Sequence, residues 1–170
     1  MKLKFKNSQI QELAKRYGYP SNEDAVTSLA PLIKEQNYMT KNQLQILCKW
    51  KSPRSAGNML SNDEEYIKEI TKYSFQTKNE RTRIEVLTLL DGVRWPTASC
   101  ILHLFHNDKY PILDFRALWS IGIDKPPDYK YDFWINYTNF CRNISKEQNI
   151  SMRNLDKALW QYSKENQQQQ

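Results

Sequence analysis

The stretch LLDGVRWPTASCIL, residues 89–102, decides the predicted fold of this chain, and YPILDFRALW follows it at residues 110–119. Apolar residues surround its single glycine, Gly92, which predicts a helix, a tight turn and a second helix. Gly92 can adopt the positive φ that such a turn demands, and Pro96 suits the first turn of the second helix. Main-chain N–H groups of residues 92–97 would then face outward at a helix N-terminus, where a phosphate binds favourably.

Helical patterns continue through the rest of the chain. Three pairs with the spacing of a capping box predict helices that begin near residues 41, 62 and 78: Thr40 with Gln43, Ser61 with Glu64, and Thr77 with Glu80. Other helices are expected from Ser21, with a bend or break at Pro31, and from about Met152. Because the chain has four glycines and no sustained polar–apolar alternation, it is predicted to be all-α, a compact bundle of roughly eight to ten helices.

The predicted organisation is a single helical domain at residues 1–164, either as one body or as two lobes, with the helix–turn–helix part at residues 80–106. The basic segment KWKSPRSAGN at residues 49–58 is expected to connect two helices, because its Ser52-Pro53 step breaks a helix. The tail at residues 165–170 is rich in glutamine and is expected to be disordered.

The net charge and the cysteines limit which partners and which cellular compartment are expected. The net charge of +6 favours an anionic partner without choosing among nucleic acid, acidic protein and membrane surface. The three cysteines, at positions 48, 100 and 141, are far apart and resemble small buried apolar side chains in a reducing compartment. No apolar stretch approaches the roughly 18 residues of a membrane span, so a soluble cytoplasmic protein without a membrane partner is expected.

The predicted hairpin is similar to the helix-hairpin-helix of the DNA glycosylase superfamily that includes endonuclease III. That family has a Gly-hydrophobic-Gly turn followed by Thr-Ala, and this chain matches it at Gly92, Val93, Thr97 and Ala98. The family also carries an aspartate after the second helix, and Asp114 stands 17 residues after Thr97. The resemblance covers about residues 80–122 and implies a DNA-glycosylase-like fold.

The resemblance implies a protein that binds duplex DNA without sequence preference. Main-chain N–H groups around the turn would hold a phosphate, which fixes position without reading bases. The expected DNA contacts are Gly92, Val93, Arg94, Trp95, Thr97 and Arg54. Asp114 would be the catalytic residue of a monofunctional glycosylase in base excision repair, because an ionised carboxylate stabilises the sugar cation left by the departing base.

Three departures from the family pattern limit what is transferred. Arg94 replaces the second turn glycine, which either removes a left-handed residue or adds a cation that faces the phosphate. Pro96 stands where bifunctional members carry a Schiff-base lysine, so strand cleavage by that residue is not expected. Phe115 and Arg116 follow Asp114 in place of the Thr-His common in endonuclease III, and no Leu-x-x-Gln-Thr-like wedge segment lies nearer the N-terminus, so base extrusion is the least supported inherited feature. The iron–sulfur cysteine cluster of some relatives is also absent, and no metal site is expected beyond the monovalent cation that main-chain carbonyls of the family's hairpin often hold.

Simpler interpretations compete at each position. Asp114 can serve only as the N-cap of the following helix, Trp95 can be core or exposed, and the hairpin can be an ordinary corner between helices. Basic residues near the hairpin form either a DNA-binding strip or solvated helix faces: Lys49, Lys51, Arg54, Lys78, Arg81 and Arg83. Three functions therefore stay open: a glycosylase, a non-catalytic DNA-binding module, and an interaction protein that does not bind DNA.

Overall fold

A computed structural model describes residues 1–19 and 23–167. Within these residues the chain forms ten α-helices, two 3₁₀ segments and no β-strand. The helices are α1 (Ile10–Lys15), α2 (Asp24–Thr27), α3 (Ala30–Gln36), α4 (Lys41–Lys51), α5 (Glu64–Gln76), α6 (Glu80–Leu87), α7 (Trp95–Phe105), α8 (Phe115–Ser120), α9 (Tyr131–Glu147) and α10 (Met152–Asn166). The all-α prediction is confirmed for this part of the chain, whereas the helix start predicted at Ser21 lies outside the described residues.

One of the three predicted capping boxes is present. The Gln43 N–H donates to Thr40 Oγ1 at 3.3 Å, and the Thr40 N–H donates to Gln43 Oε1 at 2.8 Å. The pair predicted at residues 61 and 64 is wrong, because Glu64 Oε2 instead accepts from the Lys41 N–H at 2.9 Å. The third pair is also wrong, because Asn79 caps α6. Local spacing located these helix starts to within a few residues, whereas a tertiary contact engages Glu64 and a neighbouring residue, Asn79, caps α6 in place of Thr77.

The chain divides into two compact units, which we call the central unit (described residues 23–108) and the terminal unit (described residues 1–19 and 109–167). The core of the central unit is α7, which contacts α3, α4 and α6. Its side chains at Ala98, Cys100, Ile101 and Leu102 are wholly buried. Because side chains on most of its surface are apolar, this helix is packed among other helices.

The terminal unit is built on α10, which contacts α1, α8 and α9. Residues 2–4 run beside the end of α8, where Lys2 N–H donates to the Ile121 carbonyl at 3.0 Å and Lys4 N–H to the Ser120 carbonyl at 2.9 Å. The last helix extends to Asn166. The predicted disordered tail is therefore wrong at its first two residues, and residues 168–170 lie outside the described part.

Candidate nucleic-acid interface

Residues 88–94, which we call the 88–94 turn, join α6 to α7. Three successive N–H groups after α6 donate three residues back, from Thr88, Leu89 and Leu90, at 3.0, 3.1 and 3.3 Å. Such bonds tighten the last turn of a helix. Because residues 88–94 separate the end of α6 from the start of α7, the connection between the two helices is longer than the tight turn predicted from the sequence.

Gly92 has the positive φ that the sequence predicted, at +78°. A Cβ atom built on Gly92 would lie 2.7 Å from the main-chain nitrogen of Met59, which belongs to the 3₁₀ segment Pro53–Ser61. Only glycine satisfies both the backbone conformation and this close approach. Arg94, by contrast, is extended at φ −105° and ψ 174°, so the arginine at the second glycine position needs no left-handed conformation.

Asn62 fixes the 88–94 turn from a distance of 29 residues along the chain. Its Oδ1 accepts from the Asp91 N–H at 2.9 Å, and its Nδ2 donates to the Asp91 carbonyl at 3.0 Å. Ser61 Oγ also donates to the Asp91 carboxylate at 2.8 Å. The buried Asn62 amide thus pairs with the main chain of the turn, an interaction that no local sequence signal indicates.

The accessibility of the predicted DNA contacts differs from residue to residue. Val93 is 1% exposed and Thr97 is 2% exposed, so both side chains are buried, and their expected contacts with DNA stay a prediction. Both side chains are directed into the core because the turn must bury apolar surface between α6 and α7. Arg94 and Arg54 are exposed, and Trp95, the first residue of α7, is half-buried.

The 88–94 turn contains main-chain donors that have no acceptor in the protein. Among the described residues, the N–H groups of Gly92 and Arg94 donate to no protein acceptor. Helix α7 begins immediately afterwards without a side-chain cap, and Pro96 is its second residue, as predicted for the first helical turn. The positive end of the helix dipole and these donors favour an anion, whereas the exposed Asp91 carboxylate opposes one.

The basic residues near the hairpin differ in their surroundings. Arg83 is 7% exposed, lies 3.3 Å from the Asp108 carboxylate and donates to the Thr77 carbonyl, so this buried side chain belongs neither to a DNA-binding strip nor to a solvated helix face. Arg81 is paired with Glu85 at 3.0 Å. Among the described residues, the Arg54 and Arg94 guanidinium groups form no ion pair.

Asp114 belongs to the terminal unit and is the N-cap of α8. Its Oδ1 accepts from the Arg116 N–H at 2.9 Å, as the simpler interpretation of the sequence expected, and its side chain is half-buried. The preceding segment is held by Tyr137, whose hydroxyl donates to the Ile112 carbonyl at 3.0 Å. Burial raises the pKa of the Tyr137 hydroxyl well above its usual value, so it remains a protonated donor.

No protein family, curated protein or solved structure matches this chain. In the described residues no group of three or more potential metal ligands lies together. The three cysteines are buried and unbridged, and burial raises the pKa of the Cys48 thiol to about 11. None of the described helices is long and apolar enough to cross a membrane.

Proposed function

We propose that this chain binds duplex DNA through its sugar–phosphate backbone at the 88–94 turn. The observation that carries the proposal is a set of donors just before and at the N-cap of α7: the N–H groups of Gly92 and Arg94, which donate to no protein acceptor among the described residues, and the guanidinium of the exposed Arg94. A phosphate accepts from such main-chain groups, and an arginine can add two parallel hydrogen bonds. The net charge of +6 supports the same partner.

The proposed contact reads no base sequence. Val93, which lies between the two main-chain donors, and Thr97, in the first turn of α7, are buried and present no side chain to a groove. Hydrogen bonds to phosphates position a protein on DNA, whereas sequence is read from base edges. We therefore expect similar affinity for duplexes of different sequence.

Salt dependence tests this proposal. A duplex of about 20 base pairs should bind at low salt and lose at least tenfold in affinity between about 50 and 200 mM salt, because phosphate contacts release counterions. Arg94→Gln should weaken binding at low salt and lower the salt slope by about 1. The affinities are measured by fluorescence anisotropy with labelled duplexes of two unrelated sequences.

Lys72→Gln is the matched control, because Lys72 is an exposed residue of the same unit that forms no ion pair among the described residues. Both variants lose one positive charge. Equal effects from the two variants would indicate non-specific attraction by net charge. Absence of duplex binding at low salt would contradict the proposal altogether.

Base release by a monofunctional glycosylase is a second candidate function, and the position of Asp114 favours it. Asp114 caps α8, where its Oδ1 accepts from the Arg116 N–H at 2.9 Å, and its side chain is half-buried rather than enclosed in the core. Such a carboxylate can stabilise the positive charge that develops on the sugar while water attacks. Hydrolysis of this kind leaves an abasic site, and with Pro96 in place of a lysine no strand cleavage is expected.

A further inference from the structure

Three aromatic rings form a cluster on the terminal unit, where the segment after α1 meets α10. The rings of Tyr17 and Tyr19 are nearly parallel, with centroids 6.2 Å apart and an interplanar angle of 12°. The ring of Trp160 lies edge-on to both tyrosine rings, and its centroid is 5.3 Å from the centroid of each. All three residues are half-buried, so none of them is enclosed in the core.

Cations surround these rings. Lys157 Nζ lies 5.3 Å from the centroid of the Tyr17 ring. Lys164 Nζ lies 5.3 Å, and Arg116 Cζ 5.5 Å, from the Trp160 ring. We call these residues together the aromatic–basic face: Tyr17, Tyr19, Trp160, Arg116, Lys157 and Lys164.

The aromatic–basic face carries an excess of positive charge. Of the other cations nearby, Arg16 is paired with Glu12 and Glu165, and Arg153 is paired with Asp156 at 2.6 Å. Among the described residues, no carboxylate forms an ion pair with the three cations of the face. Their charges are therefore not neutralised by an ion pair, although Lys164 Nζ donates to the Gly18 carbonyl at 2.8 Å and Glu165 reduces the local potential.

We propose that the aromatic–basic face binds single-stranded nucleic acid by base stacking and phosphate contacts. Surfaces of this kind combine aromatic rings, on which bases stack, with cations that follow the backbone. An acidic peptide would use the cations but would gain little from three clustered rings. A membrane surface would instead be bound by aliphatic or aromatic side chains that enter the lipid, and binding to anionic vesicles distinguishes this partner from a single strand.

This inference goes beyond duplex binding at the 88–94 turn and does not depend on it. The aromatic–basic face lies in the terminal unit, whereas the turn lies in the central unit. A chain with Arg94→Gln should therefore retain its affinity for a single strand. Failure of one proposal leaves the other standing.

The test uses the full chain and an oligothymidine of about a dozen nucleotides, with an abasic oligomer of the same length as the matched ligand. Both carry the same phosphate charge, but the abasic oligomer has no base to stack. Oligothymidine should bind roughly tenfold or more tightly than the abasic oligomer, as measured by fluorescence anisotropy. Equal affinities would overturn the stacking proposal.

Two variants place the binding on this face. Lys157→Glu should weaken oligothymidine binding roughly tenfold at low salt, whereas Lys146→Glu, an equal charge change at an exposed site on α9, should have a smaller effect. Tyr19→Leu should reduce the preference for oligothymidine over the abasic oligomer. Circular dichroism and the thermal midpoint show whether each variant is folded.

Three other outcomes would contradict the proposed binding of a single strand to this face. Equal losses from Lys157→Glu and Lys146→Glu would place the binding elsewhere and overturn the proposal. Vesicles of anionic phospholipid that bind the chain in preference to oligothymidine would make this face a membrane contact instead. Polyglutamate that competes as well as oligothymidine at equal charge would show attraction by charge alone, and would also overturn it.

Discussion

Asp114→Asn should reduce base release from damaged duplex DNA by a factor on the order of 100, if the chain acts as a glycosylase. The substitution removes the carboxylate charge that would stabilise the sugar cation. Asparagine is as good an N-cap as aspartate, so the bond from the Arg116 N–H can be retained and the free energy of unfolding should change little. The assay measures labelled base released from a panel of damaged duplexes, with alkali treatment to reveal abasic sites.

Asp128→Asn serves as the control for lost negative charge, because Asp128 is exposed and in the same unit. It should release base at the wild-type rate. Duplex binding should survive in both variants. Wild-type protein that releases nothing from a broad panel, or an equally active Asp114→Asn variant, would make the non-catalytic DNA-binding module the better account.

Gly92→Ala should lower the free energy of unfolding by about 3 kcal/mol. One part of this loss comes from forcing a residue with a Cβ to φ +78°, and the other from the 2.7 Å approach of that atom to the Met59 nitrogen. For a chain of this size the thermal midpoint should fall by roughly 6–12 °C. Denaturant unfolding followed by circular dichroism measures the difference.

Gly57→Ala is the matched control within the same 3₁₀ segment that contacts Gly92. A Cβ at Gly57 would meet nothing within 4 Å, and Gly57 does not have a positive φ. Its free energy of unfolding should change by less than about 0.5 kcal/mol. Equal stability of the two variants would mean that the 3₁₀ segment does not close on the turn as described. Because the Gly92 variant disturbs the fold, Arg94→Gln is the better test of DNA binding.

Local features of the fold were predictable from the sequence because they depend on neighbouring residues. The positive φ of Gly92, the place of Pro96 in the first turn of α7 and the capping bond of Asp114 all follow from backbone sterics and unpaired N–H groups. The same physics set the capping box of Thr40 with Gln43. None of these features needs information from a distant part of the chain.

Features that depend on distant residues were not predictable. Val93 and Thr97 were expected to face DNA but are buried, because the packing of α7 and not the motif decides which side of the turn is exposed. Asn62 pairs with a main-chain segment 29 residues away, and its own neighbours give no sign of this. Glu165 was assigned to a disordered tail but lies in a helix and pairs with Arg16 at 2.9 Å.

Amide chemical-shift mapping by NMR tests the central proposal most directly. A nitrogen-labelled chain is titrated with a duplex, and the shift of each N–H signal is followed. We predict that the largest changes fall on the N–H groups of Gly92 and Arg94, because these donors would bond to a phosphate, while Lys72 is unaffected. Unchanged signals from the 88–94 turn at a duplex concentration that saturates binding would contradict the proposal.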